Sequence, residues 1–200
     1  MAKDTIKDRN DAIIFAQSIL KDKNNYLILD TETTGLGDND VIVQIGILDL
    51  DGNVLLESLV KPTKRKRILS EATAIHGITM KMLQDAPTFK EIYPKFYEVI
   101  RNKKLLIYNA EYDGRLLTQT RIQDELKMDD FDALCIMRLY SVFLGEWSDY
   151  HDSFKFQKLP GGDHTATGDC NATLELLKNM SIAEKTPPPP KKWWQFWISD

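Results

Sequence analysis

Two carboxylates one residue apart are the feature of this sequence that most directly suggests chemistry. Asp30 and Glu32 follow the apolar run Leu27–Leu29 and precede the turn residues Thr33–Gly35. Successive side chains of a β-strand alternate between its faces, so both carboxylates point to the same side. Neighbouring carboxylates repel each other unless a cation lies between them, and oxygen ligands suit a divalent metal ion. A polar strand end that leads into a turn explains the same residues, so this segment alone leaves both interpretations open.

Two later segments carry further groups that could join such a site. Asp113 comes four residues after Asn109, where a predicted strand ends and a helix begins. The helix dipole also favours an aspartate at this position, without any catalytic role. His164 follows a glycine pair, and Asp169 comes five residues later in a predicted helix. A single histidine in a glycine loop is also a common surface residue, so each segment alone has a plain structural explanation.

The composition is that of a soluble globular protein. The 200 residues are 42% hydrophobic and 28% charged, with a net charge of −4, so affinity for a polyanion must come from a local patch or bound cations. Cys135 and Cys170 form no metal-binding spacing, which favours a reducing compartment without disulfides. The N-terminal residues contain no signal-peptide core, and no apolar run approaches the roughly 18 residues of a membrane span. We expect a cytoplasmic location.

Hydrophobic periodicity predicts alternating helices and strands. The predicted helices are 8–22, Ser70–His76, Thr88–Arg101, Asn109–Leu126, Asp132–Phe143 and His164–Asn179. The predicted strands are Tyr26–Asp30, Val41–Leu50, Val54–Val60, Lys104–Tyr108 and Asp130–Phe131, and 145–162 is a long loop. Three consecutive strands followed by alternating helices and strands indicate an α/β fold, a mixed five-stranded sheet flanked by helices with the first strand in the centre.

The composition changes near the C-terminus. We expect one domain over residues 1–182, followed by a Pro-rich linker and a Trp-rich tail over 183–200. The tail carries the aromatic residues Trp193, Trp194, Phe196 and Trp197. Docking on a protein partner is the favoured use of this aromatic cluster. Packing on the domain or on a second copy, stacking on single-stranded nucleic acid, and contact with a membrane surface are alternatives.

The acidic segments together resemble the DEDDh branch of the RNase H-like 3′–5′ exonucleases, which includes the polymerase III proofreading subunit. That family combines D-x-E-T-T-G, N-x-x-x-D and H-x-x-x-x-D in one site, and the matching residues here are Asp30, Glu32, Asn109, Asp113, His164 and Asp169. The resemblance covers about residues 8–180 and implies an RNase H-like fold. Tyr112 stands where Phe is common in the family, and Thr167-Gly168 replace bulkier residues.

This resemblance implies a site for two Mg²⁺ or Mn²⁺ ions. By analogy, Asp30 bridges both ions, Glu32 and Asp169 complete the catalytic ion, and Asp113 holds the second ion largely through water. Two such ions can stabilise both the attacking and the leaving oxygen of a phosphodiester. His164 is then the general base, a role that suits imidazole because it ordinarily titrates near neutral pH.

The resemblance also implies residues that contact the terminal nucleotide: Thr33, Leu36, His76 and Asn109. Leu36 is expected to wedge against a base, although a core position that closes the turn is the alternative. His76 also precedes Gly77, and that pair is typical of an ordinary helix end.

Residues 61–67 carry five cations, Lys61, Lys64, Arg65, Lys66 and Arg67. A solvated loop explains them, and an arm that contacts substrate phosphates is the alternative.

We therefore predict a metal-dependent 3′–5′ exonuclease that acts on single-stranded or frayed DNA and releases nucleoside 5′-monophosphates. An exoribonuclease with the same site is one alternative. The other is a non-catalytic adaptor that binds nucleic-acid ends and recruits a partner through the aromatic tail, although the complete set of acids argues against it.

Overall fold

The computed structural model describes residues 5–64, 66–127 and 131–187. Within these ranges the α-helices are α1 Thr5–Lys21, α2 Ser70–His76, α3 Phe89–Ile100, α4 Ala110–Gln123, α5 Ile136–Leu144 and α6 Ala166–Ile182. The strands are β1 Tyr26–Thr33, β2 Ile42–Leu48, β3 Val54–Leu59, β4 Lys104–Ile107, β5 Ala133–Cys135, β6 Trp147–Ser148 and β7 Ser153–Phe154. The short helix predicted near Ser70–His76 is confirmed.

The main sheet contains five strands in the order β3-β2-β1-β4-β5. Strand β2 is antiparallel to β1 and β3, whereas β4 is parallel to β1 and β5. Because parallel neighbours need a crossover, α4 connects β4 to β5. The predicted mixed sheet with its first strand in the centre is confirmed.

Helices cover both faces of the sheet, so the central strand is apolar on both sides. Ile28 packs in a core with residues of α1, α5 and α6, whereas Leu27 and Leu29 pack on the opposite face with residues of α3 and α4. Strand alternation places Asp30 and Glu32 on the Ile28 face. The start of α6 therefore lies on the same side of β1 as these two carboxylates, and α4 lies on the other side.

The fifth strand lies further along the chain than predicted. It forms at Ala133–Cys135 instead of Asp130–Phe131, and the following helix starts at Ile136 instead of Asp132. Pairing with β4 decides this position, because Ala133 to Cys135 lie opposite Leu105 to Ile107 in parallel register. Such a long-range register has no counterpart in the local pattern. Asp130 lies outside the described residues.

The segment predicted as a long loop contains a small hairpin of β6 and β7. In it the rings of Trp147 and Phe154 pack edge to face, with their centroids 5.3 Å apart. Two-residue strands are too short to produce a readable alternation.

Beyond α6 the chain stays attached to α1. The amide of Asn10 donates to the Thr186 carbonyl at 2.8 Å, and the Thr186 N–H donates to the Asn10 side chain at 3.0 Å. The aromatic residues Trp193, Trp194, Phe196 and Trp197 lie outside the described residues. Cys135 and Cys170 are free thiols, and among the described helices none has the length and apolar character needed to cross a membrane.

Candidate active site

The site is built on the end of the central strand. Strand β1 continues to Thr33, so Asp30 and Glu32 are both strand residues whose side chains lie on one face. The register with β2 shifts between Glu32 and Thr33, which marks a local bulge. Bulges of this kind re-aim side chains and are frequent beside active sites.

The third carboxylate comes from the first turn of α6. Thr165 caps this helix, and its hydroxyl accepts a hydrogen bond from the Gly168 N–H at 3.1 Å. Asp169 then faces the strand. One carboxylate oxygen from each of Asp30, Glu32 and Asp169 lies within 4.8 Å of the other two.

Gly46 allows α6 to approach the sheet this closely. It pairs with Asp30 across the β1–β2 ladder, and a Cβ atom there would lie 2.8 Å from the Ala166 carbonyl carbon. Any side chain at this position would therefore push the start of α6, and Asp169 with it, away from Asp30. Sequence reasoning missed this residue, because a glycine inside an apolar strand carries only a general signal of close backbone approach.

Asp113 reaches the site from the opposite face of the sheet. It is buried in the first turns of α4, and its Oδ1 accepts a 2.7 Å hydrogen bond from the hydroxyl of Thr31. The sequence predicts one cradle of four acids. Within the described chain, the group of acids close enough to share one ion contains Asp30, Glu32 and Asp169, while Asp113 lies beside it. The role of Thr31 in holding Asp113 was not predicted.

Burial and mutual repulsion strongly disfavour ionisation of this cluster. Burial, followed by the charges of Asp113, Asp169 and Glu32, raises the pKa of Asp30 well above its usual value. Burial, then the charge of Asp169, raises the pKa of Glu32 to about 8. Burial raises the pKa of Asp113 to about 7, although the Thr31 hydrogen bond opposes this shift. A divalent cation would remove the repulsion, and the donor set of carboxylate oxygens fits such an ion.

His164 lies beside the acidic cluster on the loop before α6. Its backbone N–H and that of Asp163 donate to Oδ1 of Asp169, at 3.1 and 2.9 Å. The residue has a φ of 61°, and its exposed side chain lines the same cavity as the four acids. The loop thus places an imidazole at the site while its backbone holds a carboxylate of that site.

The structure explains one departure from the family pattern. Oδ1 of Asp163 accepts hydrogen bonds from the backbone and hydroxyl of Thr165, at 2.9 and 2.8 Å. This folds the Asp163 carboxylate over Gly168, where a Cβ atom would overlap it. The absence of a side chain at position 168 therefore leaves room for the Asp163 carboxylate.

Two cavities meet at the cluster. The first, of about 650 Å³, is lined by the four acids together with Asn109, Tyr108, Lys158 and His164, among others. The second, of about 680 Å³, is lined by Thr33, Leu36, Leu69, Ile75, His76 and Tyr112, among others. Leu36 lines both cavities and its side chain is 76% exposed, so the alternative of a core residue is wrong.

The residues expected to contact the substrate differ in whether their polar atoms already have hydrogen-bond partners within the protein. The Ile78 N–H donates to Nδ1 of His76, and Nε2 of His76 lies 3.0 Å from the Thr33 carbonyl. This pattern assigns the proton to Nε2 and uses both ring nitrogens within the protein. The Thr33 hydroxyl lies 2.8 Å from the Tyr112 hydroxyl. Tyrosine at position 112, where phenylalanine is common in the family, therefore ties α4 to the turn after β1. Asn109 makes no side-chain cap bond to α4.

The chain matches known exonucleases over most of its length. The family model described as Exonuclease, of the RNase T type, matches residues 27–177. The uncharacterized exonuclease CP81 of Escherichia phage 186 is 38% identical over 176 residues, which cover 80% of this chain and 89% of that protein. The DNA polymerase III subunit epsilon of Buchnera aphidicola subsp. Schizaphis graminum is 31% identical over 126 residues. That match covers 58% of this chain and 53% of the subunit, so the chain spans about half of that relative.

Among solved structures, Exonuclease X in complex with 5′ overhanging duplex DNA is 28% identical to this chain. The TM-score is 0.54, and the alignment covers 80% of this chain and 95% of that chain. The RNase H-like fold expected from the acidic motifs is therefore confirmed, and with it the resemblance on which the expectation rested. The chain belongs to the exonuclease family and carries a nuclease domain.

Proposed function

We propose that this protein is a metal-dependent 3′–5′ exonuclease that removes nucleoside 5′-monophosphates from single-stranded or frayed DNA ends. The observation that carries the proposal is the convergence of Asp30, Glu32 and Asp169 within 4.8 Å on a cavity that His164 also lines. The match to a polymerase III epsilon subunit, and to Exonuclease X in a complex with DNA, supports a DNA substrate.

Two divalent ions, Mg²⁺ or Mn²⁺, would occupy the site in this proposal. Asp30, Glu32 and Asp169 would hold one ion, with Asp30 shared, and Asp113 would hold the second from across the strand. Bound there, the ions would stabilise negative charge on the attacking and leaving oxygens of the phosphodiester. The raised pKa values of Asp30, Glu32 and Asp113 support this assignment, because uncompensated carboxylates at such a site prefer to be protonated.

His164 would act as the general base. Its side chain is exposed on the cavity, so it can accept a proton from the attacking water and release it to solvent. The backbone bonds from residues 163 and 164 to Asp169 would keep base and carboxylate in one unit.

Leu36 would separate the terminal nucleotide from the next base. It lines both cavities and is 76% exposed, so its side chain is available to contact a base. Thr33 and His76 would shape the second cavity, of about 680 Å³, which we call the nucleotide cavity, through the turn that they hold together. Asn109 would face the substrate from the start of α4. A cytoplasmic location accompanies the proposal.

The test is incubation of DNA and RNA oligonucleotides, labelled at either end, with Mg²⁺ or Mn²⁺. We expect stepwise loss of 3′-terminal mononucleotides from DNA, inhibition by EDTA, and no activity for Asp30→Ala. Asp38→Ala serves as the matched control, because its exposed carboxylate lies on the loop after β1 but lines neither cavity. Release from the 5′ end would contradict the polarity, and faster loss from RNA would support the exoribonuclease. Metal-dependent binding without release would support the adaptor.

A further inference from the structure

A second charged surface lies next to the nucleotide cavity, on the loop between β3 and α2. Lys61, Lys64 and Lys66 line a pocket of about 340 Å³ together with Thr63, Met80 and Gln84. None of the described residues that line this pocket is acidic. We call it the basic pocket. It is a local positive surface on a chain whose net charge is −4.

The cations of the basic pocket are available to an external anion. The ammonium group of Lys61 donates to the Gln84 carbonyl at 2.6 Å, which shapes the pocket wall. For Lys64 and Lys66, the part of the chain that the structure describes offers no carboxylate within 4 Å. Nearby protein groups therefore leave the charge of these two lysines uncompensated.

The basic pocket is connected to the nucleotide cavity by two short stretches of chain. Leu69 lines that cavity, and its N–H donates to the Thr34 carbonyl at 2.9 Å, which anchors it to the turn after β1. Leu69 follows Lys66 by three positions along the chain, a span of at most about 11 Å. On the other side of α2, Met80 of the basic pocket follows His76 of the cavity by four residues. A strand that ends in the nucleotide cavity can therefore reach the basic pocket within a few nucleotides.

We propose that the basic pocket binds backbone phosphate of the substrate strand, upstream of the nucleotide that is removed. The inference rests on the proposed exonuclease function and deepens it. A local group of cations attracts a polyanionic strand to a protein whose net charge is negative. Lysine ammonium groups act as point charges without base selectivity, so the contact holds the strand regardless of its sequence.

The test compares two double variants that lose the same charge. Lys64→Gln with Lys66→Gln changes the basic pocket, whereas Lys21→Gln with Lys185→Gln removes two exposed cations near the ends of the described chain, outside both cavities. Binding of a fluorescent single-stranded oligonucleotide is measured by anisotropy in EDTA over a series of NaCl concentrations. Hydrolysis of the 4-nitrophenyl ester of thymidine 5′-monophosphate with Mn²⁺ measures the catalytic site without any upstream phosphate.

We expect the basic-pocket variant to bind the oligonucleotide roughly tenfold or more weakly at low salt than the control variant. Its plot of log affinity against log salt concentration should be shallower by about 1.4, or about 0.7 for each phosphate contact that is lost. Turnover of the small ester should stay at the level of the unaltered protein.

Equal affinities and salt slopes for the two double variants would overturn the proposal, as would a parallel loss of ester turnover in the basic-pocket variant. An anionic protein partner would be indicated instead if oligonucleotide binding is unchanged. Because binding is measured without hydrolysis, failure of the exonuclease proposal shows separately, as the absence of mononucleotide release by the unaltered protein.

Discussion

The hydroxyl of Thr31 donates a 2.7 Å hydrogen bond to Oδ1 of Asp113, and so joins the central strand to α4. Thr31 lies between Asp30 and Glu32 but points to the opposite face of the sheet, where α4 packs. One strand segment therefore serves the site in two ways. It presents the carboxylates of Asp30 and Glu32 directly. Through Thr31, which lies between them, it also positions the carboxylate of Asp113 on the other face.

Thr31→Val tests this positioning role, since valine keeps the shape and removes the hydroxyl. The hydrogen bond lowers the pKa of Asp113, so its loss should raise that pKa and move the acidic limb of the activity profile to higher pH. A hydrogen bond to a charged group contributes about 1.5–3 kcal/mol, so we expect at least a tenfold loss of kcat near neutral pH. Recovery at higher pH, followed in a pH–rate profile, separates positioning from unfolding.

Thr118→Val is the matched control for that variant. Its hydroxyl donates to the Gly114 carbonyl within α4, at 2.9 Å, and not to an acid of the site, so neither the rate nor the profile should change. Identical profiles for the two valine variants would contradict the positioning role of Thr31.

His164→Ala should lower kcat by about 10² to 10⁴-fold, the usual contribution of a general base. The carboxylates remain in place, so binding of Mn²⁺, measured by calorimetry, should persist. His151→Ala is the control, because His151 is an exposed histidine that lines neither cavity of the site. Near-normal turnover of His164→Ala would refute the assignment of the base.

The stability of the metal-free protein should fall as pH rises. The folded-state pKa values of Asp30, Glu32 and Asp113 are raised, with Glu32 at about 8 and Asp113 at about 7. The folded protein therefore binds more protons than the unfolded chain above about pH 4, the usual pKa range of carboxyl groups. The free energy of unfolding must then decrease as pH rises from about 4 to about 8.

Thermal unfolding measured across this pH range in EDTA, and again with Mn²⁺, checks the expectation. Mn²⁺ should raise Tm most at the alkaline end, where the carboxylates are ionised and ready to bind it. Glu32→Gln should flatten the metal-free profile and weaken the response to Mn²⁺. Glu146→Gln, at an exposed position next to β6, should change neither the metal-free pH profile nor the response to Mn²⁺. A Tm that rises with pH without metal would contradict the argument.

Gly46→Ala should destabilise the protein and weaken the metal site together. The new Cβ would lie 2.8 Å from the backbone of Ala166, so the start of α6 has to move, at a cost of about 1–3 kcal/mol. Asp169 moves with it, and Mn²⁺ affinity should fall. Gly114→Ala is the control, because its Cβ meets nothing within 4 Å and alanine favours the helix, which should stabilise α4 by up to about 1 kcal/mol. Equal Mn²⁺ affinities in the two variants would argue against Gly46 as the residue that lets the start of α6 approach β2.

Much of the fold could be predicted from the sequence, because its signals are local. Hydrophobic periodicity places α2 at Ser70–His76 and marks the strand that carries Asp30, and the order of elements puts β1 in the centre. The fifth strand was misplaced, since its position depends on pairing with β4 rather than on its own residues. The sequence also left the exposure of Leu36 undecided, because a leucine after a turn can either pack in a core or face a cavity.

The sequence by itself determined that Asp30 and Glu32 share one face, because strand alternation is a property of the local backbone. Through the family pattern it also predicted which distant acids and which histidine lie together, and these residues line one cavity. Only the tertiary structure decided how these acids are grouped. Asp169 joins the first two because the glycine at position 46 lets α6 touch the sheet, whereas Asp113 comes from α4 on the other face, where its carboxylate accepts the Thr31 hydrogen bond. Such distances depend on how helices pack across a sheet, and residue spacing along the chain does not encode that packing.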